Sequence, residues 1–513
     1  MSSQETLPQD VRGVHIHFVG IKGTGMAALV EILYARGAVI TGSDVSERFY
    51  TDEILEKLHL TALPFAEENI TDAVQYVIYS SAYNPEKNPD LVAARRRGIP
   101  LILYTEALGA VSRSAYSCGV CGVHGKTTTT GLVGTLLKAL DLPSQVLAGS
   151  IIASFDGSCT MTTPEFVAHQ KKYPANDEPA YFVAETCEYQ RHFMAFCPQK
   201  IILTSVESDH QDYYPTYEDI RAAFTDYLCK LPQNGQVIYC ADDKGACETV
   251  SLAKEKRADI QAIPYGTTAA GAYKITFGRT EGGKQHFSLG EKTGKSSANG
   301  IGECALSVPG EHNMRNAAAA IALVTELLRT ARKNPADYTD KIKSALLSFS
   351  GGKRRSEVIG RAKTPRGEEV IVLDDYGHHP TAIKTTLEGY RSFYKNHKII
   401  VDFMSHTYTR TAALLEEFAS AFGSADMVIV NKIYGSARED ASAAGVTGEI
   451  LAACTKKYNK NTIYAAEFDE AARIALGELS KPSGAKDGYL FVTMGAGDNW
   501  KVGKQVLEAL WER

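Results

Sequence analysis

The sequence predicts an α/β protein of three domains: a Rossmann-like N-terminal domain, a central P-loop-type ATPase domain and a C-terminal Rossmann-like domain. Three observations carry this prediction. The chain has 513 residues, more than a single hydrophobic core accommodates. Short apolar runs rich in Val and Ile alternate with amphipathic stretches, the order that builds parallel sheets flanked by helices. Two glycine turns, at residues 20–25 and 122–125, each follow an apolar run and precede a helical pattern, an arrangement that aims a helix N-terminus at a phosphate. The domains are placed at residues 1–114, 115–349 and 350–513.

The first domain opens with an apolar run at 14–19, the turn Gly20-Ile-Lys-Gly23-Thr24-Gly25-Met26 and a helical stretch to about residue 36. A second strand at 38–42 leads to Asp44, 24 positions after Gly20, about where an acidic side chain meets a ribose hydroxyl. The glycine order is G-x-x-G-x-G rather than G-x-G-x-x-G, so a dinucleotide is one of several phosphate ligands the turn suits. Strands at 74–80 and 100–104 extend the sheet and leave Ser80 and Ser81 at a strand's C-terminal end, where open α/β sheets place ligands.

The central domain starts with a strand at 116–120, the loop Gly122-Val123-His124-Gly125-Lys126-Thr127-Thr128 and a helix to residue 140. Glycines there can turn backbone N–H groups inward, Lys126 adds a cation for terminal phosphates, and the Thr127 hydroxyl suits Mg²⁺, so ATP is the expected cofactor. Two later strands, at 181–185 and 201–206, run into Glu185 and Glu188 and into Glu207, Asp209 and His210. Carboxylates at strand ends beside a phosphate loop suit Mg²⁺, which takes oxygen ligands. Residues 154–179 read as an exposed irregular loop and 273–290 as a hairpin. Pro309 and Gly310 mark the entry to a long apolar helix bearing His312, Asn313 and Asn316.

The third domain follows Ser350-Gly-Gly-Lys-Arg354-Arg355, a turn suited to a hinge with cations, Arg354 among them, facing phosphate. Strands at 370–373, 399–403, 427–430 and 489–492 alternate with helices that include 412–422 and 468–479. Two strand ends carry unusual clusters, Asp374-Asp-Tyr376-Gly-His378-His379-Pro380 and His406-Thr-Tyr-Thr-Arg410.

Composition narrows the partners. A net charge of −5 with both signs spread throughout favours neither nucleic acid nor an anionic membrane. No apolar stretch approaches the roughly 20 residues of a spanning helix, and the N-terminus lacks the features of a signal peptide, so a cytoplasmic protein is expected. Of 10 cysteines, the one Cys-x-x-Cys pair, Cys118 and Cys121, lies in the phosphate strand without a second pair, which argues for apolar filler rather than metal.

Taken in chain order, the turn from Gly20 to Met26, the loop from Gly122 to Thr127, Pro309-Gly-Glu-His-Asn313, Asp374-Asp-Tyr-Gly-His-His-Pro380 and Met494-Gly-Ala-Gly-Asp498 resemble the Mur ligases, from residue 20 to about 502. The Tyr376 to Pro380 cluster is the sharpest of these, since generic ATP binders have no reason to carry it. The resemblance implies ATP-dependent joining of L-alanine to the lactyl carboxylate of UDP-N-acetylmuramate through an acyl phosphate, in the cytoplasm. The runner-up is a relative that attaches a ready-made tripeptide to the same UDP-sugar. An oxidoreductase would leave the phosphate loop unexplained, and an ATP-driven switch would hydrolyse ATP without an acceptor. Partners are expected to be these small molecules, with no nucleic acid or membrane, and with the chain as a monomer or homodimer.

By the same resemblance, the UDP-sugar falls to the first domain, through Gly20, Gly23, Thr24, Gly25, Met26, Asp44, Ser80 and Ser81. ATP falls to the second, through residues 122–128 with His312, Asn313 and Asn316 near the adenine. Thr127 and Glu185 hold one Mg²⁺, and His210 stands where a second metal is ligated. Tyr376, His378 and Arg410 shape the amino-acid pocket, and Lys126, Glu185, His210 and His378 carry the catalysis. Four positions depart from the family pattern: Val123 and Ser205 replace hydroxyl and amide side chains, Thr407 replaces a second Arg, and Phe224 stands where some relatives have a carbamoylated lysine. No carbamoylation is expected.

Overall fold

The computed structural model describes residues 6–49, 51–172, 179–211, 213–293, 296–435 and 445–512, whose strands form four sheets. The first sheet has the order Val39–Ser43, His15–Val19, Tyr76–Tyr79, Leu101–Leu103, all parallel. In the second, Tyr116–Cys121 lies between Lys200–Leu203 and Tyr181–Glu185, parallel to both. Gln236–Cys240 and Gln261–Tyr265 extend one side, Ser144–Ile152 and the antiparallel edge Ser158–Thr162 the other. The C-terminal sheet is parallel apart from the edge strand Glu357–Lys363 and centres on Tyr489–Gly495 and Lys398–Met404. Strands such as Tyr489–Gly495 are buried throughout, as expected where helices cover both faces of a parallel sheet.

Three readings of the chain change. The expected loop at 154–179 contains the strand Ser158–Thr162 and the helix Pro164–Lys172, with residues 173–178 outside the described set. Thr163 makes that helix start, because its hydroxyl accepts from Phe166 N at 3.3 Å and Pro164 fits the first helical position. The hairpin gains a third antiparallel strand, Ser296–Leu306, after Ile275–Glu281 and Lys284–Thr293. The helix expected at 412–422 breaks at Leu414 into Tyr408–Ala413 and Leu415–Ser420, whereas Phe468–Leu479 forms with the expected ends.

The two interdomain seams differ in kind. One apolar cluster runs from the first sheet into the second, joining Leu33, Ile102 and Val111 to Val123, Phe182 and Phe193. Arg36 is buried in that seam, donating to Gln145 Oε1 at 2.8 Å and lying over Phe166 and Phe182. The C-terminal domain keeps separate apolar clusters, and the side-chain hydrogen bonds joining it to the centre include Thr381 to Glu207 and Arg410 to Asp209. Lys353 N donates to Ile151 O at 2.7 Å, and Gly389 packs on Gly310 so closely that a Cβ would lie 2.6 Å from the Gly310 Cα. Gly389→Ala is therefore expected to hold the C-terminal domain off the centre and lower kcat by up to about 10²-fold with the fold retained, measurable by turnover and circular dichroism together.

Candidate active site

The phosphate loop sits at the C-terminal end of the central strand. Gly122 (φ 133°) and Gly125 (φ 78°) take conformations that L side chains rarely adopt, and a Cβ at Gly125 would lie 2.6 Å from Asn316 Oδ1. The helix that follows, Lys126–Ala139, has no side-chain cap and no acid in its first turn, so its N–H groups remain available to an anion. Ser205, one of the four departures, holds the loop: its carbonyl accepts from Val123 N at 3.0 Å and its hydroxyl from His124 N at 2.9 Å. Val123 is explained as well. Its side chain belongs to the apolar seam with the first domain, where a methyl suits the surroundings better than a hydroxyl.

Lys126 turns back over the loop. Its Nζ donates to Gly122 O at 2.6 Å and to both oxygens of Glu188, at 3.1 and 2.9 Å. Burial opposes the ammonium charge, but the adjacent Glu188 carboxylate overrides it and raises the Lys126 pKa. Burial likewise works against ionised Glu188, while Lys126 and His210 outweigh it and hold the carboxyl below its usual range. His210 Nε2 lies 3.4 Å from Glu188 Oε1. The positive φ of His210, 54°, accompanies a turn in which its carbonyl accepts from Tyr213 and Tyr214 N–H. The resemblance names Glu185 as the metal ligand, whereas Glu188 is the carboxylate paired with Lys126 and His210.

Glu185 ends its strand with Oε2 accepting from Gly149 N at 2.7 Å. Thr127 is buried in the first helical turn. A hydroxyl and two carboxylates around the loop make an oxygen-rich donor set of the kind Mg²⁺ takes, with His210 beside them. Phe224 is a core residue, edge-on to Phe193 with ring centroids 5.4 Å apart. Turnover is therefore expected to be independent of bicarbonate, and intact mass to show no lysine carbamate.

The helix Glu311–Thr330 brings its first turn to the same loop. Asn316 Nδ2 donates to Asn313 Oδ1 at 3.2 Å and Asn313 Nδ2 to Pro309 O at 2.6 Å, a chain that holds the Asn316 amide against Gly125. Burial pushes His312 down to about 4. In the first domain, Asp44 is used on its own turn: it accepts from Lys22 N at 2.7 Å, Val45 N at 2.8 Å and the Tyr83 hydroxyl at 2.9 Å. Gly20 (φ 85°) lies against the Tyr83 ring, Gly25 against Tyr104, and Thr24 and Met26 fall in the first turn of the helix Thr24–Ala35 that Gly23 precedes. Ser80 N donates to Val19 O at 3.1 Å, and Ser81 follows it on the exposed side of the turn.

From the third domain, the Tyr376 to His379 segment faces the phosphate loop. His378 Nδ1 lies 2.9 Å from Tyr376 O, and burial followed by the Arg410 charge keeps its imidazole neutral. Arg410 does not stand free: Nε and Nη2 donate to Asp209 Oδ1 at 3.2 and 2.6 Å, with both side chains buried. Arg354 is also committed, to Asp374 Oδ2 at 2.8 Å and to the carbonyls of Gly495 and Gly497 at 2.7 and 3.0 Å. Its neighbour Arg355 lies over the Tyr376 ring, 5.1 Å from the centroid. The site thus unites a phosphate loop, a Lys–Glu–His group centred on buried Glu188, and an aromatic, basic pocket from another domain.

Those features define the class, and the family models agree along the chain: "Mur ligase family, catalytic domain" matches residues 15–116, "Mur ligase middle domain" 120–324 and "Mur ligase, glutamate ligase domain" 354–497. The chain belongs to the Mur ligase family. Among individual relatives, the UDP-N-acetylmuramate–L-alanine ligase of Treponema pallidum (strain Nichols) is 46% identical over 501 residues, covering 97% of each chain. That of Borreliella burgdorferi is 34% identical over 95% of this chain and 97% of its own. The UDP-N-acetylmuramate–alanine ligase MurC of Thermotoga maritima shares the fold with a TM-score of 0.71 at 24% identity, over 97% of this chain and 99% of that one.

Proposed function

We infer that the protein is an ATP-dependent ligase that joins L-alanine to the lactyl carboxylate of UDP-N-acetylmuramate, giving UDP-N-acetylmuramoyl-L-alanine, ADP and phosphate in peptidoglycan synthesis. The observation that carries the mechanism is the meeting of Lys126, Glu188 and His210 with Tyr376, His378 and Arg410 across one seam. A carboxylate is a poor acyl donor, since its leaving group would be oxide. Transfer of the γ-phosphoryl group to a carboxylate oxygen makes an acyl phosphate. The alanine amine then attacks the acyl carbon, and phosphate leaves with the former carboxylate oxygen.

Both steps concentrate negative charge between phosphates and carboxylate, so fixed cations and donors supply the catalysis. Lys126 would follow the γ-phosphoryl group, exchanging Gly122 O and Glu188 for phosphate oxygens, while the open N–H groups of its helix hold the phosphate chain. Thr127, Glu185, Glu188 and His210 are the side chains suited to Mg²⁺, which when bound screens phosphate charge. Neutral His378 is available to hold the amine or take its proton, and Arg355 and Tyr376 line the pocket beside it. On this reading residues 1–114 bind the UDP-sugar, 115–349 bind ATP, and 350–513 bind the amino acid. No described helix is long and apolar enough to cross a membrane, and a cytoplasmic, substrate-driven enzyme is the accompanying proposal.

The test is phosphate release with UDP-N-acetylmuramate and each acceptor in turn. Release should require both substrates together and prefer L-alanine to a tripeptide. Preference for the tripeptide would assign the chain to the recycling branch, and release without an acceptor would overturn ligation.

A further inference from the structure

We propose that His124, Glu207 and His379 form a site for a divalent cation of the zinc class, bridging the phosphate loop and the C-terminal domain. The residues come from three segments: the turn of the phosphate loop, the chain after the strand Lys200–Leu203, and the entry to the helix Pro380–Phe393. One ligand atom from each lies within 4.8 Å of the other two. Glu207 is the hub. Its Oε1 contacts His124 Nε2 and lies 3.7 Å from His379 Nδ1, while Oε2 accepts from the Thr381 hydroxyl at 3.1 Å.

His379 is the independent observation. It is 6% exposed, and neither ring nitrogen has a hydrogen-bond partner. Buried polar side chains are ordinarily paired, and 3.7 Å is too long for a hydrogen bond to Glu207. A His124–Glu207 hydrogen bond by itself accounts for two members of the group and leaves the third unexplained. Burial lowers the His379 pKa, so its imidazole carries a free lone pair at neutral pH. The Glu207 carboxyl, despite its burial, is held below its usual range by His124.

Two imidazoles and one carboxylate are the donor set of Zn²⁺ and Co²⁺, with a fourth position left open, whereas Mg²⁺ takes oxygen ligands. This group is therefore chemically distinct from the Thr127, Glu185 and His210 set. Tetrahedral ligands around zinc lie about 3.3 Å apart, so a bound ion would part His124 from Glu207 and bring His379 in from its 3.7 Å by a few tenths of an ångström. The ion would thereby tie the C-terminal domain to the phosphate loop.

The test is titration of the chelator-treated full chain with Co²⁺ in excess Mg²⁺, followed by displacement with Zn²⁺. One Co²⁺ per chain should give the intense visible absorption of a four-coordinate ion, lost on adding Zn²⁺. Glu207→Gln and His379→Gln should each weaken binding by more than about 100-fold, beyond the 10–100-fold expected for loss of an outer-shell partner. His210→Gln should retain it. Absence of four-coordinate Co²⁺ in the unmodified chain, undiminished binding in E207Q, or loss in H210Q alone would overturn the site. The unmodified chain and E207Q decide the matter even if H379Q fails to fold.

Discussion

Lys126→Ala is expected to lower kcat by at least about 10²–10³-fold, the range for removing one group that stabilises transition-state charge. UDP-N-acetylmuramate binding should stay within about twofold, because its proposed site lies on the first sheet and shares no side chain with Lys126. The removal has a second consequence. Glu188 is 2% exposed and held ionised chiefly by Lys126, so the variant leaves a buried carboxylate with only His210 beside it. Its pKa should rise, and any residual turnover should vary with pH as that carboxyl titrates. Stopped-flow measurement of acyl-phosphate formation, with equilibrium binding of the UDP-sugar, checks both parts. Equal losses in binding and turnover would show that Lys126 supports the whole fold rather than phosphoryl transfer.

Arg410→Ala should be the most disruptive substitution on the third domain. Arg410 and Asp209 are 7% and 5% exposed and joined at 2.6 Å, so truncation strands a buried carboxylate at a cost of about 3–5 kcal/mol. The pair spans the central and C-terminal domains, so the loss appears in their association. Asp209→Ala combined with Arg410→Ala should recover much of the stability, since the stranded charge is gone, without recovering turnover. The pH dependence has a definite sign. Despite burial, Arg410 holds the folded Asp209 pKa well below its unfolded value, so the pair's contribution is complete above the ordinary Asp range and fades only as pH falls through the folded value. In Arg410→Ala the folded pKa moves above the unfolded one, and mild acid should then stabilise the variant. Thermal melts from pH 8 to pH 5 distinguish these cases.

What was legible in the chain was what neighbours in sequence determine. The phosphate loop could be read because glycines, Lys126 and an amphipathic helix stand within a few residues of each other. The buried parallel strands could be read because they are continuous apolar runs. Glu188 was harder: Glu185 and Glu188 stand three positions apart after one strand, and only the turn through Gln190 and Arg191, with φ of 50° and 58°, accompanies the path that sets Glu188 beside Lys126. Arg410 and Asp209 are 201 residues apart, and no local pattern announces such a partner. Asp44 shows a further difficulty. The acid after the second strand is expected to meet a ribose hydroxyl, but its oxygens are used by main-chain donors and Tyr83 in its own domain.

The contrast between the two interdomain seams sets how closure would register in a calorimeter. Parting the first domain from the second would expose Leu33, Phe182 and Phe193 to water, and newly hydrated hydrocarbon carries a large positive heat capacity. Parting the third domain from the second would mainly hydrate the Arg410, Asp209, Glu207 and Thr381 side chains, and polar hydration carries a heat capacity of the opposite sign. Ligand-driven closure on that side should therefore lack the large negative heat-capacity change that burying the apolar seam would give. Such a joint can open and shut at every turnover without presenting a greasy face that would stick to other proteins in a crowded cell.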